Sequence, residues 1–558
     1  MSTPMHSRSL RFRFAMIAAF TTTACTSADR NATPAGEVGG TLIVALPAEP
    51  LTLMPPLVRY AHEKVIADQI FEVLAEIGPD LSTYGDAGWK PKLAESWQWS
   101  ADSLSIAFRL SPRARWHDGP SVTSKDVRFS VELYKDPNVL ARAATALADI
   151  DSVSTPDSLT AVVWYSKRSP EQFYNIAYNL LIAPEHLLRD ADRANLGEHP
   201  FARNPVGSGP FKFKRWDARS VLEVAADTSY HQGRPLLNRV IWLLSLTPVT
   251  ALEPVLAGEA DMFEVVTPDG MARIAAQQMV KALRYSSPNY VYLGFNARDP
   301  KRPDRPHPLL AERELRRALT MAIDRHVLLK NALDSLGFVG AGPFSRELAV
   351  ADTTLTMVPF DSAGADRLLD SLGWTDHDRN GVREKAGRPL RFGIMFPTSS
   401  VQRRRYAELI QAQLRPHGVQ VDVEAGDFAV FGARLFKGEF DALLNNWSTD
   451  PSPSSVRDTW YSASVANRRS NYLLYGNPAV DASIDSAMRD PDAARSRAHY
   501  RTAYQRIIDD APAVWLYEGR PYMAINSRVK PVFNGSDVWW RQLRLWSIPS
   551  AGRLPRDK

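Results

Sequence analysis

Hydrophobic positions along this chain switch repeatedly between a period near two and a period near 3.6, and each switch marks a new element. After Gly39-Gly40 a continuous apolar run, Thr41-Leu42-Ile43-Val44-Ala45-Leu46, predicts a buried strand. Pro47, Pro50, Pro55 and Pro56 end it in an extended loop. Val65, Ile66, Gln69, Ile70, Val73, Leu74 and Ile77 then recur at helical spacing, which predicts one helix over 62–77. Ser105–Leu110, Ala161–Tyr165 and Tyr290–Phe295 read as strands, and Thr123 or Ser124 caps a helix running to Tyr134. Residues 313–329 carry Leu315, Ala318, Leu319, Ala322 and Ile323 on one helical face; 363–372, 403–414 and 495–508 are further helices. Asp441-Ala442-Leu443-Leu444 reads as a buried strand that breaks at Asn445 into a polar, aromatic, proline-locked loop reaching Pro453. Helices and short strands mixed along the whole length indicate an α/β protein, and no period of 20–50 residues points to a repeat architecture.

Composition narrows this picture. A chain of 558 residues is too long for one core, and 44% apolar residues exclude a wholly disordered chain. The formal charge of +5 is mostly local to the N-terminus. Arg8, Arg11 and Arg13 precede a short apolar run, Phe14–Phe20, and then Thr21-Thr22-Thr23-Ala24-Cys25. A basic start, a brief apolar core and small residues before a cleavage point describe an export signal; the run is too short to span a bilayer. Cys25, the one cysteine, resembles the acceptor of bacterial lipoproteins, with Thr22 where Leu or Val is usual. Cleavage after Ala24 or Ala28 gives a soluble periplasmic protein instead. Residues 26–38 suit a flexible tether. Removing 1–25 leaves 64 basic against 62 acidic residues with no dense basic block, so nucleic acid is not an expected partner.

No catalytic constellation emerges. His62-Glu63 opens like a zinc-protease motif, but Ile66 stands where the second histidine must bind. The 11 histidines show no helical metal spacing, and no phosphate-binding loop occurs, so neither a metal nor a cofactor is expected. Asp376–Gly381 copies the first half of a calcium loop, yet Gly387 replaces the bidentate Glu, and an Asx-rich turn is the better reading. Ser208, in Gly207-Ser208-Gly209, is the one weak nucleophile candidate and keeps a periplasmic hydrolase on a similar scaffold open as an alternative.

Several segments, in order and spacing, carry a resemblance. They are Pro91–Trp97, Phe108-Arg109-Leu110, Trp116-His117-Asp118-Gly119, Ser124–Ser130, Asn204–Phe211, Gly258-Glu259-Ala260-Asp261 and Leu315–Arg325. Together they resemble the solute-binding proteins of bacterial dipeptide, oligopeptide and nickel ABC importers. The resemblance implies an α/β, two-lobed periplasmic binding protein, type II-like with an additional third domain. Lobe I would comprise 39–80, 201–285 and 511–550, the extra domain 81–200, and lobe II 286–510. It further implies a monomer without enzymatic activity that delivers a peptide or peptide-like solute to a permease, tethered to the membrane if Cys25 is lipidated. A nickel chelate, an oligosaccharide or an opine are the alternative ligands. In peptide binders of this family an Asp three residues after a Trp holds the ligand amine. That role falls on Asp450 after Trp447, with Trp447, Asn446 and Asn445 beside the ligand; Leu443 and Leu444 offer no arginine for its carboxylate.

Overall fold

Strands buried on both faces need near-continuous apolar runs, and the inner strands Thr41–Ala45, Asn289–Phe295 and Ala513–Gly519 of the two large sheets are such runs. Edge strands such as Phe211–Asp217 and Gln420–Gly426 carry charged, partly exposed positions. The computed structural model describes residues 38–557 apart from 245, 246, 248, 249, 463–469 and 534–536. Cys25 and the export segment lie outside the described residues.

The first sheet has seven strands, in the order Val280–Arg284, Tyr522–Asn526, Met262–Phe263, Thr41–Ala45, Arg239–Leu243, Val221–Ala226 and Phe211–Asp217. Thr41–Ala45 lies inside it, parallel to both neighbours, with five residue pairs on one side and two on the other. Leu42 and Val44 enter one core while Ala45 and Ile43 pack into another on the opposite face.

A second sheet has six strands, ordered Gly337–Val339, Ala513–Gly519, Asn289–Phe295, Ala442–Ser448, Arg391–Pro397 and Gln420–Gly426. Val291, Leu293 and Phe295 face one core, Tyr290 and Tyr292 the other. The third sheet is antiparallel, with Ala94–Trp99, Ser105–Leu110, Thr160–Tyr165 and Ile150–Asp157 in that order. Its core is continuous with that of the first: Phe108, Val163 and Phe173 belong to the same apolar cluster as Leu42, Val240 and Trp242. The molecule is therefore two packed bodies, one carrying the first and third sheets and one carrying the second.

Local differences from the expected elements have tertiary causes. The helix foreseen over 62–77 is Ala61–Ile70, and Phe71 turns extended. The Gly209 amide donates to the Ile70 carbonyl at 2.8 Å, and a Cβ on Gly207 would stand 1.8 Å from that oxygen. The glycine pair thus brings one backbone onto the helix end. Gly207→Ala is expected to lower the thermal unfolding midpoint, at a cost on the order of 1–3 kcal/mol or more for the forced backbone shift. The helix foreseen over 313–329 is two, Arg313–Met321 and Arg325–Ala332, because the Asp324 carboxylate caps the second by accepting from the His326 and Val327 amides. In the 376–381 turn, Asp376 accepts from the Asn380 and Gly381 amides at 3.1 and 3.0 Å, as an Asx-rich turn does.

The expected return to the first lobe at 511 is corrected by the pairing. Ala513–Gly519 belongs to the second sheet and Tyr522–Asn526 to the first, so the chain crosses at Arg520-Pro521. A second crossing runs beside it, since the Tyr285 amide donates to the Pro521 carbonyl at 3.2 Å. Glu347 braces that crossing, accepting from the Ser286 hydroxyl at 2.7 Å and the Ser287 amide at 3.1 Å.

The chain's end closes over its described beginning. Arg528 donates to Asp261 at 2.7 and 2.9 Å, to Asp557 at 2.5 Å and to the Thr41 carbonyl at 3.0 Å. Asp557 in turn accepts from the Thr41 amide at 2.7 Å. Asp261 is fully buried and Arg528 nearly so.

Candidate functional site

Four distant stretches of sequence converge on one cavity of about 530 Å³ between the two bodies. The first body contributes Tyr60, Lys64 and Trp540 from around the first sheet, and Arg142, Glu171, Tyr174 and Tyr178 from around the third. The second contributes the loop after Ala442–Ser448, including Thr449, Asp450, Ser452 and Ser454, followed by Arg457 and Asp458. That size suits a small organic solute.

Asp450 stands at the centre of this loop. One of its oxygens accepts from the Ser452 amide at 3.0 Å, across Pro451. The turn-capping role and a ligand role are thus compatible, because the Ser452 amide bonds only one of the two oxygens. Burial pushes the Asp450 pKa above the ordinary carboxylate value; the Arg142 guanidinium and the Ser452 amide oppose that shift, and Asp458 adds to it. The Tyr174 hydroxyl is buried and faces Asp450, where it too opposes the rise in the carboxyl's pKa.

Glu171, on the opposite wall, accepts from Thr83 Oγ1 at 2.6 Å and from Ser452 Oγ at 2.8 and 2.9 Å. Its pKa is pushed up to about 7, first by burial and further by the Asp450 charge, against the hydrogen bonds from Thr83, Ser452 and Ser454. Nearby, Tyr84 and Ser496 join the two bodies through their hydroxyls at 3.0 Å, and Arg497 lies over the Tyr84 ring at 5.5 Å.

The wall from the first body is held by buried charge pairs. Lys64 bonds Asp68 at 2.7 Å, and Asp68 also accepts from Trp540 Nε1 at 2.9 Å. Arg541 pairs with Asp537 at 2.8 Å, and Asp537 takes the Tyr178 hydroxyl. These pairs fix the Trp540 and Tyr178 rings that line the cavity.

Of the ligand-contact expectations, Asp450 alone lines the cavity. Asn445, Asn446 and Trp447 do not, because the expected loop is still strand: the ladder with Asn289–Phe295 continues through Ser448. Alternation then sends Asn445 and Trp447 to one face. There Asn445 Nδ2 donates to Tyr292 Oη at 3.4 Å, and Trp447 packs edge-on against Tyr472 at 6.3 Å. Asn446 goes to the other face and receives the Arg403 guanidinium. Arg142, Glu171, Tyr174 and Tyr178 carried no local signal, since each joins Asp450 across more than 270 residues.

Ser208 is not placed to act as a nucleophile. It is 2% exposed, and its hydroxyl donates to the fully buried Glu72 at 2.9 Å. His231 bonds the other oxygen of that carboxylate at 2.9 Å rather than Ser208.

A sequence profile described as bacterial extracellular solute-binding proteins, family 5 (middle), matches residues 88–468. The oligopeptide-binding protein AppA of Bacillus subtilis is 26% identical over 497 residues, spanning 87% of this chain and 88% of that protein. The solved structure of AppA in complex with a nonapeptide superposes with a TM-score of 0.80 at 23% identity, covering 92% of this chain and all of that one. NikZ from Campylobacter jejuni, solved with Ni(L-His), also reaches 0.80 at 23% identity, over 91% of this chain and 99% of its own.

Proposed function

Because the chain belongs to the bacterial extracellular solute-binding proteins of family 5, we propose that its cavity takes up a peptide or peptide-like solute and delivers it to the permease of an ABC importer. The observation that carries this reading is the half-buried Asp450 carboxylate, which lines the cavity between the two bodies with the Tyr174 hydroxyl beside it. In a cavity shielded from water, such a group takes a ligand ammonium as a charge-assisted pair. The remaining charge suits a zwitterion. Six cationic and five anionic side chains line the cavity among the described residues, so neither sign dominates. Backbone hydrogen bonds and bound water would then accommodate varied side chains.

Export and tethering belong to the same proposal. Residues 1–25 supply the signal and Cys25 the acceptor for lipid, which would hold a monomeric protein at the membrane on residues 26–38. Among the described residues, no helix is long and apolar enough to cross a membrane.

Calorimetry with a pool of di- to hexapeptides tests the reading. Saturable heat is the expected result; heat at the level of dilution for the whole pool would reject a peptide ligand. The nickel-chelate alternative is favoured by the likeness to NikZ alone, and the same titration with Ni(II)–histidine separates it.

A further inference from the structure

Ser452 is gripped from both bodies by two carboxylates. Its amide donates to Asp450 of its own loop at 3.0 Å, and its hydroxyl donates to Glu171 of the other body at 2.8 and 2.9 Å. We propose that Glu171 is the specificity-determining second carboxylate of the ligand site: the cleft stays shut only while one positive charge, a ligand ammonium or a proton, sits between Glu171 and Asp450. This rests on the reading of the cavity as a site for an amine-bearing solute.

Charge balance across the Ser452 contact sets this requirement. Both carboxylates line the same cavity and both are held by one residue, so closing the cleft brings two like charges together away from water. Among the described residues, no arginine or lysine is seen to bond Glu171. Its partners are the hydroxyls of Thr83 and Ser452, with that of Ser454 alongside. The groups facing it from the packed elements are Asp450 from the second body, Tyr174 from its own helix, Tyr84 from the adjoining loop, and Tyr500 and Tyr504 from the helix Ala493–Asp510. Three cations stand near this cluster, and each acts on a group other than Glu171: Arg142 on Asp450, Arg497 over the Tyr84 ring at 5.5 Å and Arg457 over the Tyr461 ring at 4.7 Å. A protonated Glu171 removes the repulsion. A ligand ammonium on Asp450 does the same while Glu171 gives its proton to solvent, after which its bonds from Thr83 and Ser452 become charge-assisted. The site therefore selects for a free amine twice, by attraction and by relief of repulsion.

The sign for the ligand-free protein follows from the raised value of about 7. A carboxyl whose value is raised on closure favours the closed form below its ordinary range and loses that contribution as pH climbs through 7. Small-angle X-ray scattering of the ligand-free exported chain is expected to show its radius of gyration increasing between pH 5.5 and 8.5, with a midpoint near 7. Glu171→Gln should abolish that transition and stay compact at both pH values. Asp450→Asn, which keeps the acceptor for the Ser452 amide, should remove the transition, since an ionised Glu171 then meets no like charge across the cleft. A wild-type radius independent of pH, or an unchanged transition in both variants, overturns the proposal. At pH 8.5 an unblocked tripeptide pool should restore the compact form, and the same pool N-acetylated should not. If the N-acetylated pool closes the cleft equally, the proposal fails. If neither pool binds, the peptide reading fails, and the ligand-free transition still decides the carboxylate pair.

Discussion

Asp450→Ala is expected to weaken binding of an unblocked peptide by about 3–5 kcal/mol, a loss of roughly a hundred- to several-thousand-fold in affinity. The magnitude follows from what the substitution leaves behind. A ligand ammonium drawn into the cavity would lose its hydration and find no carboxylate, while Arg142 on the facing wall would keep its charge. Asp450→Asn separates the electrostatic part from the structural part. It retains an oxygen for the Ser452 amide, and so the turn over Pro451, but not the charge. Titration calorimetry on both variants gives the comparison. Equal, large losses in both assign the effect to charge; wild-type affinity in the asparagine variant would reject the amine-holding role and leave Asp450 as a turn cap.

Removing the Arg528 guanidinium should produce the largest loss of stability. Arg528→Ala strands Asp261 and Asp557 in the protein interior, and breaking a buried pair by deleting one partner costs about 3–5 kcal/mol. Arg556 still reaches Asp261 at 3.0 Å, but no described residue replaces the guanidinium on Asp557. Lysine is a poor substitute, because one ammonium cannot reproduce a planar fork that serves two carboxylates and the Thr41 carbonyl together. The thermal unfolding midpoint of Arg528→Ala is expected to fall clearly and that of Arg528→Lys by a smaller margin; a midpoint equal to wild type in both would contradict the clasp. Acid should weaken the clasp as well. Burial alone would raise the Asp557 pKa, yet the Leu554 and Thr41 amides and Arg528 hold it below the ordinary value. Stability from this group is therefore present above the usual carboxylate range and is lost as pH falls through its depressed value.

The strands were legible because burial on both faces writes itself into a local run of apolar residues, as at Thr41–Ala45 and Asn289–Phe295. What was illegible depended on partners far along the chain. The helix from Ala61 stops at Ile70 because a glycine pair more than 130 residues away takes its last carbonyl, while Val73 and Leu74 prolong the helical spacing in the sequence. The crossing at Arg520-Pro521 separates two strands by two residues, and nothing local assigns Ala513–Gly519 and Tyr522–Asn526 to different sheets. In the candidate site, the resemblance pointed to Asp450, which lines the cavity, while the strand pattern placed Trp447, Asn446 and Asn445 in a loop. The ladder to Ser448 turns Trp447 and Asn445 into the core and Asn446 onto the opposite face. The opposite wall, with Glu171 and Tyr174, was visible only after folding.

The clasp over Thr41 also decides how the molecule would carry a load. Tension arriving through the segment before Val38 would enter Thr41–Ala45 along its own axis, between two parallel neighbours. Hydrogen bonds set across the direction of pull must slide together, whereas those of a peeled edge strand open one at a time. Arg528 and Asp557 grip the first residue at the point where the force enters. Pulled from that end, the first sheet would resist in shear rather than unravel strand by strand.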